Sequence, residues 1–210
     1  MKKDTLTVEK QTLEGTKFDF DGYGSIEISL LGTYQIENAV NVLNAIEVLK
    51  NQGVSISNQS VKDGLKNAKW SARFEMILKS PTVIFDGGHN PQGVCEAVRS
   101  VKKYFGDKRL NVVTGVMADK DYSFIAEKIS TVASKVFCIS PNNTRALNAE
   151  EYAQVFKGLG IEAESFKTVS EAVLSAISDA KFNKKSVICL GSLYMYTDVI
   201  NAINVEELDK

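Results

Sequence analysis

Histidine and cysteine are scarce in this sequence, and their scarcity limits the chemistry that it can support. A zinc site needs clustered Cys and His ligands, but the chain has one histidine and three widely separated cysteines. Cys95, Cys138 and Cys189 lie in apolar runs, which predicts buried thiols in a reducing compartment rather than disulfides. A Ser-His-Asp triad would have to use His89, and no pattern marks a serine nucleophile to accompany it.

An excess of one charge and long apolar runs are also lacking. The 25 basic and 26 acidic residues leave a net charge of -1, and no long block of like charges occurs. This balance gives no electrostatic case for a nucleic acid or an anionic membrane as partner. The charged residues 1–4 are not followed by an apolar core, which argues against a signal peptide, and no apolar run is long enough to span a bilayer. We therefore predict a cytoplasmic protein without nucleic-acid or membrane partners.

Two common nucleotide-binding motifs are absent as well. Neither a Gly-x-x-x-x-Gly-Lys-Ser/Thr loop nor a Gly-x-Gly-x-x-Gly fingerprint occurs anywhere in the chain. The glycine pair Gly87-Gly88 is therefore not part of a phosphate loop of either kind, and a role for it has to be argued from its surroundings.

The hydrophobic pattern divides the chain near residue 70. Residues 1–32 are β-rich, with a hairpin predicted across residues 17–30, and helices are predicted over residues 34–50 and 59–67. Beyond this point, helices alternate with short apolar strands, which are predicted at residues 73–78, 82–85, 110–115, 135–139, 162–166 and 186–190. This alternation predicts an α/β fold with a doubly wound, mostly parallel, Rossmann-like sheet over residues 71–210. Residues 1–70 do not fit that repeat and are interpreted as the end of a different domain.

Capping residues and apolar spacing predict where several helices begin and which side they bury. Asn90 followed by Pro91 is typical of an N-cap and a first helical position, and Asn148 and Ser170 are also predicted to be N-caps. A further helix is predicted over residues 122–134. The helix over residues 34–50 is predicted to bury a stripe formed by Ile36, Ala39, Val42, Ile46 and Leu49.

Polar segments follow three of the predicted strands, and ligands bind at this position in open parallel sheets. They are residues 86–91, 115–121 and 191–194. In the first, Asp86 ends an apolar strand, two glycines let the backbone turn closely, and a helix N-terminus at Asn90 offers N–H groups to an anion. Asp86 would then accept hydrogen bonds from a ribose, and His89 would meet a phosphate or a base. Alternatively, Asp86 and Asn90 only cap a turn, and His89 is a surface residue.

Two further residues are candidates for nucleotide contacts. Arg73 presents a guanidinium that would hold a phosphate bidentately; alternatively, it is a surface arginine packed on Trp70. Asn38 lies on the polar side of an apolar helix, and its amide would pair with an adenine edge; alternatively, Asn38 and Gln35 face water or cap a loop. The residues taken singly leave these alternatives open.

Taken together, these segments resemble the motifs of the folylpolyglutamate and dihydrofolate synthases of the Mur ligase superfamily. Residues 31–39 (LGTYQIENA) resemble Gly-x-His-Gln-x-x-Asn-Ala, and residues 70–75 (WSARFE) resemble Trp-Pro-Gly-Arg-x-Glu. Residues 86–91 (DGGHNP) resemble Asp-Gly-Ala-His-Asn-Pro, the most specific of the set. Residues 116–121 and 191–194 are similar to segments that follow two later strands, so the resemblance covers nearly the whole chain.

The resemblance implies an ATP-dependent ligase. In this family, ATP phosphorylates a carboxylate of a reduced folate, and the amino group of L-glutamate then attacks the acyl phosphate. By resemblance, Asn38 binds the adenine, Arg73 the phosphates, and Asp86 the ribose or phosphate side of ATP. His89 would lie beside the nucleotide, and no residue is assigned a catalytic role. The weaker candidates for the incoming glutamate are Asp119, Lys120 and Ser192.

The chain also departs from the family pattern. Tyr34 replaces the motif histidine, Ser71-Ala72 replaces Pro-Gly, and Gly88 replaces alanine. The family's phosphate loop, Mg²⁺ ligands and most of its folate pocket lie in an N-terminal region that has no counterpart here. We therefore expect no metal ligand in this chain. Residues 1–70 would be the C-terminal fragment of the central ATP-binding domain, and the chain alone would be inactive.

Two alternatives to this interpretation remain open. The first is another Mur-type amide ligase, although residues 86–91 argue against it. The second is a doubly wound binding module without catalysis, because a fold alone does not fix a function.

Overall fold

The computed structural model describes residues 6–208, and their side chains as far as residue 204. The charged residues 1–4, which bear on the signal-peptide prediction, lie outside the described residues. The chain divides into two compact units, Met1–Ser71 and Ala72–Lys210. Each unit has its own apolar core, and the two are described in turn.

The first unit is a three-stranded antiparallel sheet covered by two helices. Its strands are β1 (Leu6–Thr12), β2 (Gly15–Phe20) and β3 (Gly24–Ile28), and its helices are α1 (Gln35–Asn51) and α2 (Asn58–Asn67). Phe18 of β2 pairs with Ile26 of β3, so the predicted hairpin is confirmed. Both side chains are fully buried, because alternation along each strand places them on the covered face.

Helix α1 does not bury the stripe that its spacing predicted. Ile36 and Ala39 are buried as expected, but the next buried position is Leu43. Val42 and Leu49 are 45% and 42% exposed, so the predicted stripe is wrong at these two positions. Apolar residues lie on several sides of this helix, and such a pattern does not single out the face that packs on the sheet.

The second unit is a six-stranded sheet with helices on both sides. Its strands are β4 (Glu75–Lys79), β5 (Thr82–Asp86), β6 (Leu110–Thr114), β7 (Ala133–Cys138), β8 (Glu162–Ser165) and β9 (Val187–Leu190). Its helices are α3 (Pro91–Phe105), α4 (Tyr122–Ser130), α5 (Ala149–Gly158), α6 (Val169–Asn183) and α7 (Tyr196–Leu208), with a 3₁₀ turn at Leu193–Met195. The strand order is β4-β5-β9-β6-β7-β8, and only β4 runs antiparallel to its neighbour. The predicted doubly wound, mostly parallel α/β fold is therefore confirmed.

The helices form two layers because the chain reverses its direction across the sheet after β8. Helices α3, α4 and α5 pack in succession on one face, and α6 packs with α7 on the other. Val83 and Phe85 of β5 belong to the core beneath α6 and α7, while Ile84 between them points to the opposite face and is also buried. Burial on both faces explains why these strands are continuous apolar runs.

Two of the three predicted N-caps are confirmed. The side-chain oxygen of Asn90 accepts a 2.7 Å hydrogen bond from the amide of Gly93, and that of Asn148 accepts one of 2.8 Å from the amide of Glu150. Each side chain satisfies an N–H group that the first turn of its helix would otherwise leave unpaired.

Other boundaries differ from the prediction. Ser170 is not a cap, because α6 already begins at Val169 and Thr168 is its N-cap. The Thr168 hydroxyl accepts a 3.1 Å hydrogen bond from the Glu171 amide, while the Glu171 carboxylate accepts one of 3.2 Å from the Thr168 amide. Helix α4 ends at Ser130 rather than at residue 134, because β7 already starts at Ala133 beside Leu110 of β6.

Candidate functional site

The loops that follow β5, β6 and β9 leave the sheet at the same edge. Leu190, the last residue of β9, pairs with Asp86 at the end of β5 on one side and with Thr114 at the end of β6 on the other. The polar segments 86–91, 115–121 and 191–194 therefore start side by side. This edge of the second unit is the candidate site. Asp86 ends β5, and the loops that follow the three strands carry His89, Asp119, Lys120 and Ser192.

Asp86 is buried, and both of its carboxylate oxygens are engaged by the backbone. Its Oδ1 accepts a 2.7 Å hydrogen bond from the Gly88 amide, and its Oδ2 accepts one of 3.0 Å from the Phe74 amide. The side chain is only 3% exposed. Asp86 thereby ties the loop after β5 to the segment that carries Arg73.

The two glycines of this loop lie in close contact with neighbouring residues. A Cβ atom at Gly87 would overlap the side chain of Leu193, and one at Gly88 would lie 2.9 Å from Asp86 Oδ1. The Gly87 amide donates a 2.9 Å hydrogen bond to the carbonyl of Ala72. The loops after β5 and β9 and the chain around Ala72 therefore meet at the glycine pair.

His89 follows the glycines and is exposed at the start of α3. Its Nδ1 lies 3.0 Å from the carbonyl oxygen of Gly87. With the proton on Nδ1, this contact is a hydrogen bond that orients the ring and leaves Nε2 as an acceptor. The N-terminal N–H groups of α3 begin in the same loop, so the loop combines an imidazole with a helix end suited to anions.

Arg73 belongs to residues 72–75, named here the arginine segment. Its neighbours Ala72 and Phe74 have φ angles of 61° and 44°, in the left-handed region that residues with a Cβ atom avoid. Such a conformation costs about 1–2 kcal/mol per residue, so the surrounding structure must hold it. Arg73 is half-buried, and its guanidinium forms no hydrogen bond or ion pair with any other residue that the structure describes.

Glu75 and Tyr196 complete the support of this segment. Glu75 Oε2 accepts a 2.7 Å hydrogen bond from the Ala72 amide and a 2.9 Å hydrogen bond from the Tyr196 hydroxyl. Phe74 is fully buried, and its ring stacks on that of Tyr104 with centroids 5.5 Å apart. From the sequence, Glu75 was noted only as a position in a motif. Tyr196 lies 121 residues further along, and no sequence pattern predicted its contact with Glu75.

Asp119 and Lys120 lie in the loop after β6, together with an arginine that the sequence analysis missed. Asp119 Oδ2 is 3.1 Å from Arg145 Nη1 and 3.9 Å from Lys120 Nζ. Arg145 comes from the loop after β7, and its carbonyl accepts a 2.8 Å hydrogen bond from the Ala118 amide. Asp119 is therefore already paired with two cations, and the two loops are joined by backbone contacts.

Ser192 and Asn38 differ in their surroundings. Ser192 is buried, and its Oγ accepts a 3.3 Å hydrogen bond from the Tyr194 amide at the start of the 3₁₀ turn. Asn38 belongs to the first unit, where it is exposed in the first turn of α1. Its Nδ2 donates a 2.9 Å hydrogen bond to Oε1 of the buried Gln35, which fixes the orientation of the amide.

Neither a metal cluster nor a membrane-crossing helix occurs in the part of the chain that the structure describes. Within residues 6–208, no three His, Cys, Asp or Glu side chains form a group that could hold a metal ion. No helix in that range combines the length and the apolar character needed to cross a bilayer.

The chain is similar to known proteins over most of its length. The family model for the Mur ligase, glutamate ligase domain matches residues 72–193. The dihydrofolate synthase/folylpolyglutamate synthase of Bacillus subtilis is 30% identical over 178 residues, which are 84% of this chain and 41% of that protein. The folylpolyglutamate synthase of Lacticaseibacillus casei is 29% identical over 202 residues, 92% of this chain and 45% of that protein. The resemblance stated from the motifs is confirmed.

A solved structure supports the same relationship. The folylpolyglutamate synthase of Thermotoga maritima has a TM-score of 0.80 and 27% identity, with 98% of this chain and 47% of that chain covered. This chain thus spans less than half the length of these relatives. Through its residues 72–193, it belongs to the Mur ligase family and contains the glutamate ligase domain.

Proposed function

We propose that this chain is part of an ATP-dependent ligase that adds L-glutamate to a reduced folate. The observation that carries the proposal is Arg73, a half-buried arginine without a partner among the described residues, held in a strained segment beside the glycine loop. A half-buried cation without a partner is partly desolvated, and a bound anion would compensate this cost. The names of the Bacillus and Lacticaseibacillus relatives support folate as the substrate class.

The proposed reaction has two steps. A folate carboxylate attacks the γ-phosphorus of ATP, which forms an acyl phosphate and releases ADP. The amine of glutamate then attacks the acyl carbon, the amide forms, inorganic phosphate leaves, and the amine proton passes to solvent. Mg²⁺ would neutralise charge on the phosphates, and we propose no ligand to it in this chain.

The proposed roles at the nucleotide follow from charge and hydrogen bonding. Arg73 would offer a forked cation to the phosphates, and its rigid fork suits two phosphate oxygens at once. His89 and the N-terminus of α3 would lie beside the nucleotide. Because both oxygens of Asp86 are engaged by amides, we propose that Asp86 serves the ATP site by holding its loop. Asn38 is proposed as the adenine contact.

Three residues at the strand ends are proposed for the glutamate substrate. Lys120 would bind a carboxylate of glutamate, and Asp119 would attract its ammonium group. Ser192 would offer its hydroxyl from the loop after β9. The pairing of Asp119 with Arg145 orients its carboxylate, and the junction of the two loops gives this candidate subsite a fixed frame.

The remaining proposals concern what the chain lacks by itself. We propose that residues 1–70 are the C-terminal part of a central ATP-binding domain and that residues 71–210 are the C-terminal domain. We propose that catalysis also needs an N-terminal region like that of the relatives, so the 210-residue chain does not ligate by itself. The expected compartment is the cytoplasm, without nucleic-acid or membrane partners.

A chimera tests the proposed function. The part of the Bacillus subtilis relative that precedes the region of similarity would be fused to this chain, and ADP release would be measured with ATP, a reduced folate and glutamate. We expect release that needs all three substrates, none from the 210-residue chain, and a loss of about a hundredfold or more in the Arg73→Ala chimera. Arg99→Ala, on the exposed side of α3, is the matched control and should retain activity. Full activity of the Arg73→Ala chimera would contradict the proposal.

A further inference from the structure

We propose that Glu75 and Tyr196 are positioning residues that hold the Arg73 guanidinium for the phosphates of the nucleotide. This inference rests on the proposed function, because it assumes that Arg73 binds a phosphate. It adds two residues to the candidate site, and neither of them is expected to touch the ligand. It also links Arg73 to the loop after β9, which carries the glutamate candidate Ser192.

The backbone around Arg73 keeps its conformation only with the help of hydrogen bonds. Ala72 and Phe74 are both left-handed, and neither is a glycine. Residues with a Cβ atom leave this region readily unless other contacts hold them there. The direction of the Arg73 side chain therefore depends on the groups that hold the backbone on either side of it.

Three hydrogen bonds hold the backbone on either side of Arg73. On the C-terminal side of Arg73, the Phe74 amide donates to Asp86. On its N-terminal side, the Ala72 carbonyl accepts from the Gly87 amide, and the Ala72 amide donates to Glu75. On this N-terminal side, Glu75 is the one partner of the three that contributes a side chain. Its hydrogen bond to the Ala72 amide is short, at 2.7 Å, as expected for a charged acceptor.

Tyr196 keeps the Glu75 carboxylate in place. The Tyr196 hydroxyl donates to the same Oε2 atom that accepts from Ala72. The Tyr196 ring packs edge-on against Phe85 of β5, with centroids 5.0 Å apart and an interplanar angle of 76°. The phenol is thus fixed by the core of the sheet, and it fixes the carboxylate in turn.

The Glu75 carboxylate does not occupy the Arg73 guanidinium. Glu75 is two residues from Arg73, yet the two side chains form no ion pair within the residues that the structure describes. The carboxylate is directed to an amide and a phenol, and the guanidinium is left available for an anion. A glutamate that paired with Arg73 would instead compete with a phosphate.

Tyr196 connects the arginine segment to the loop after β9. Tyr196 begins α7 directly after the 3₁₀ turn at Leu193–Met195, and Ser192 opens that turn. Leu193 also contacts Gly87, whose amide holds Ala72. A displacement of the loop after β9 would therefore disturb the arginine segment through two sets of contacts. One is the hydrogen bond of Tyr196 to Glu75, and the other is the contact of Leu193 with Gly87.

Amide hydrogen exchange on the 210-residue chain tests the structural part of the inference. In Glu75→Ala, we expect the exchange of the Ala72 amide to accelerate about tenfold, the size of effect that loss of one such hydrogen bond produces. Tyr196→Phe should accelerate it less, and Glu75→Gln should recover part of the protection because the amide oxygen can still accept. Glu127→Gln, on the exposed surface of α4, is the matched control. Unchanged protection at Ala72 in Glu75→Ala would overturn the inference.

ADP affinity of the chimera, measured by calorimetry, tests the functional part. We expect Glu75→Ala to weaken ADP binding by the folded protein about tenfold, with partial recovery in Glu75→Gln. Because Glu75→Ala also loses two hydrogen bonds, its urea midpoint of unfolding should fall. A lower midpoint with an unchanged ADP affinity would indicate a merely structural role and would overturn the inference. If the exchange results hold but Arg73→Ala itself binds ADP normally, the proposed function fails at Arg73 while the support of the segment by Glu75 stands.

Discussion

Asp86 and Phe74 are 12 residues apart in the chain, and Asp86 Oδ2 accepts a 3.0 Å hydrogen bond from the Phe74 amide. This bond joins the end of a central strand to the segment that carries Arg73. The other oxygen of the same carboxylate holds Gly88, so one buried side chain organises both parts of the candidate nucleotide site.

Replacing Asp86 by alanine should destabilise the protein by about 3 kcal/mol, because two buried amides lose a charged acceptor. Urea unfolding followed by circular dichroism measures the change. Asp107→Asn, in the exposed turn after α3, is the matched control and should lie within about 0.5 kcal/mol of the wild type. Equal stability of Asp86→Ala and the control would show that the two hydrogen bonds do not hold these segments.

Gly87→Ala should be destabilising by about 1–3 kcal/mol, because the added methyl group overlaps Leu193. The double variant Gly87→Ala/Leu193→Ala should recover much of this loss, which urea unfolding can measure as a double-mutant cycle. Gly158→Ala in α5 has open space at its Cβ position and should be neutral or slightly stabilising. Additive effects of the two site substitutions would argue against the contact.

Thr168→Ala should cost about 1 kcal/mol of stability, because it removes the hydroxyl that caps α6. Ser170→Ala, two residues later and outside the cap, should change stability by less than about 0.5 kcal/mol. Thermal and urea unfolding measure the stability of each variant, and each variant removes one hydroxyl group near the start of α6. A larger cost for Ser170→Ala would reverse the assignment of the cap.

The three cysteines should differ in reactivity. Burial raises the pKa of the Cys138 thiol to about 12 and that of the Cys189 thiol also to about 12, so neither forms the reactive thiolate near neutral pH. Cys95 is only half-buried. Intact-mass measurement after alkylation at about pH 8 should show one label on the native chain and three after unfolding in urea. Rapid native labelling of Cys138 or Cys189 would contradict their burial.

The features that were predictable from the sequence are those set by local spacing. The run Thr82–Asp86 is short and mostly apolar, which predicts a strand. Asn90 before Pro91 is a local signal for a helix start, so the sequence alone predicts the order of strand, loop and helix. The order of motifs likewise placed His89 and Ser192 after strands, because parallel strands end at one edge of the sheet.

The features that escaped prediction depend on contacts distant in sequence or on small geometric differences. Tyr196 reaches Glu75 across 121 residues, and nothing in either local pattern pairs them. Arg145 lies in a loop whose approach to Asp119 is set by the neighbouring strands. Thr168 and Ser170 are both hydroxyl residues near one helix start, and only the backbone conformation decides which of them is the cap.

The most direct test of the proposed ligation follows oxygen atoms from the folate carboxylate to the released phosphate. The chimera would be given ATP, glutamate and a folate labelled with ¹⁸O in its terminal carboxylate. If an acyl phosphate forms, one labelled oxygen leaves with the inorganic phosphate, which mass spectrometry detects, and the Arg73→Ala chimera should release far less of it. Phosphate free of the label, released alongside normal formation of the glutamate amide, would contradict the account.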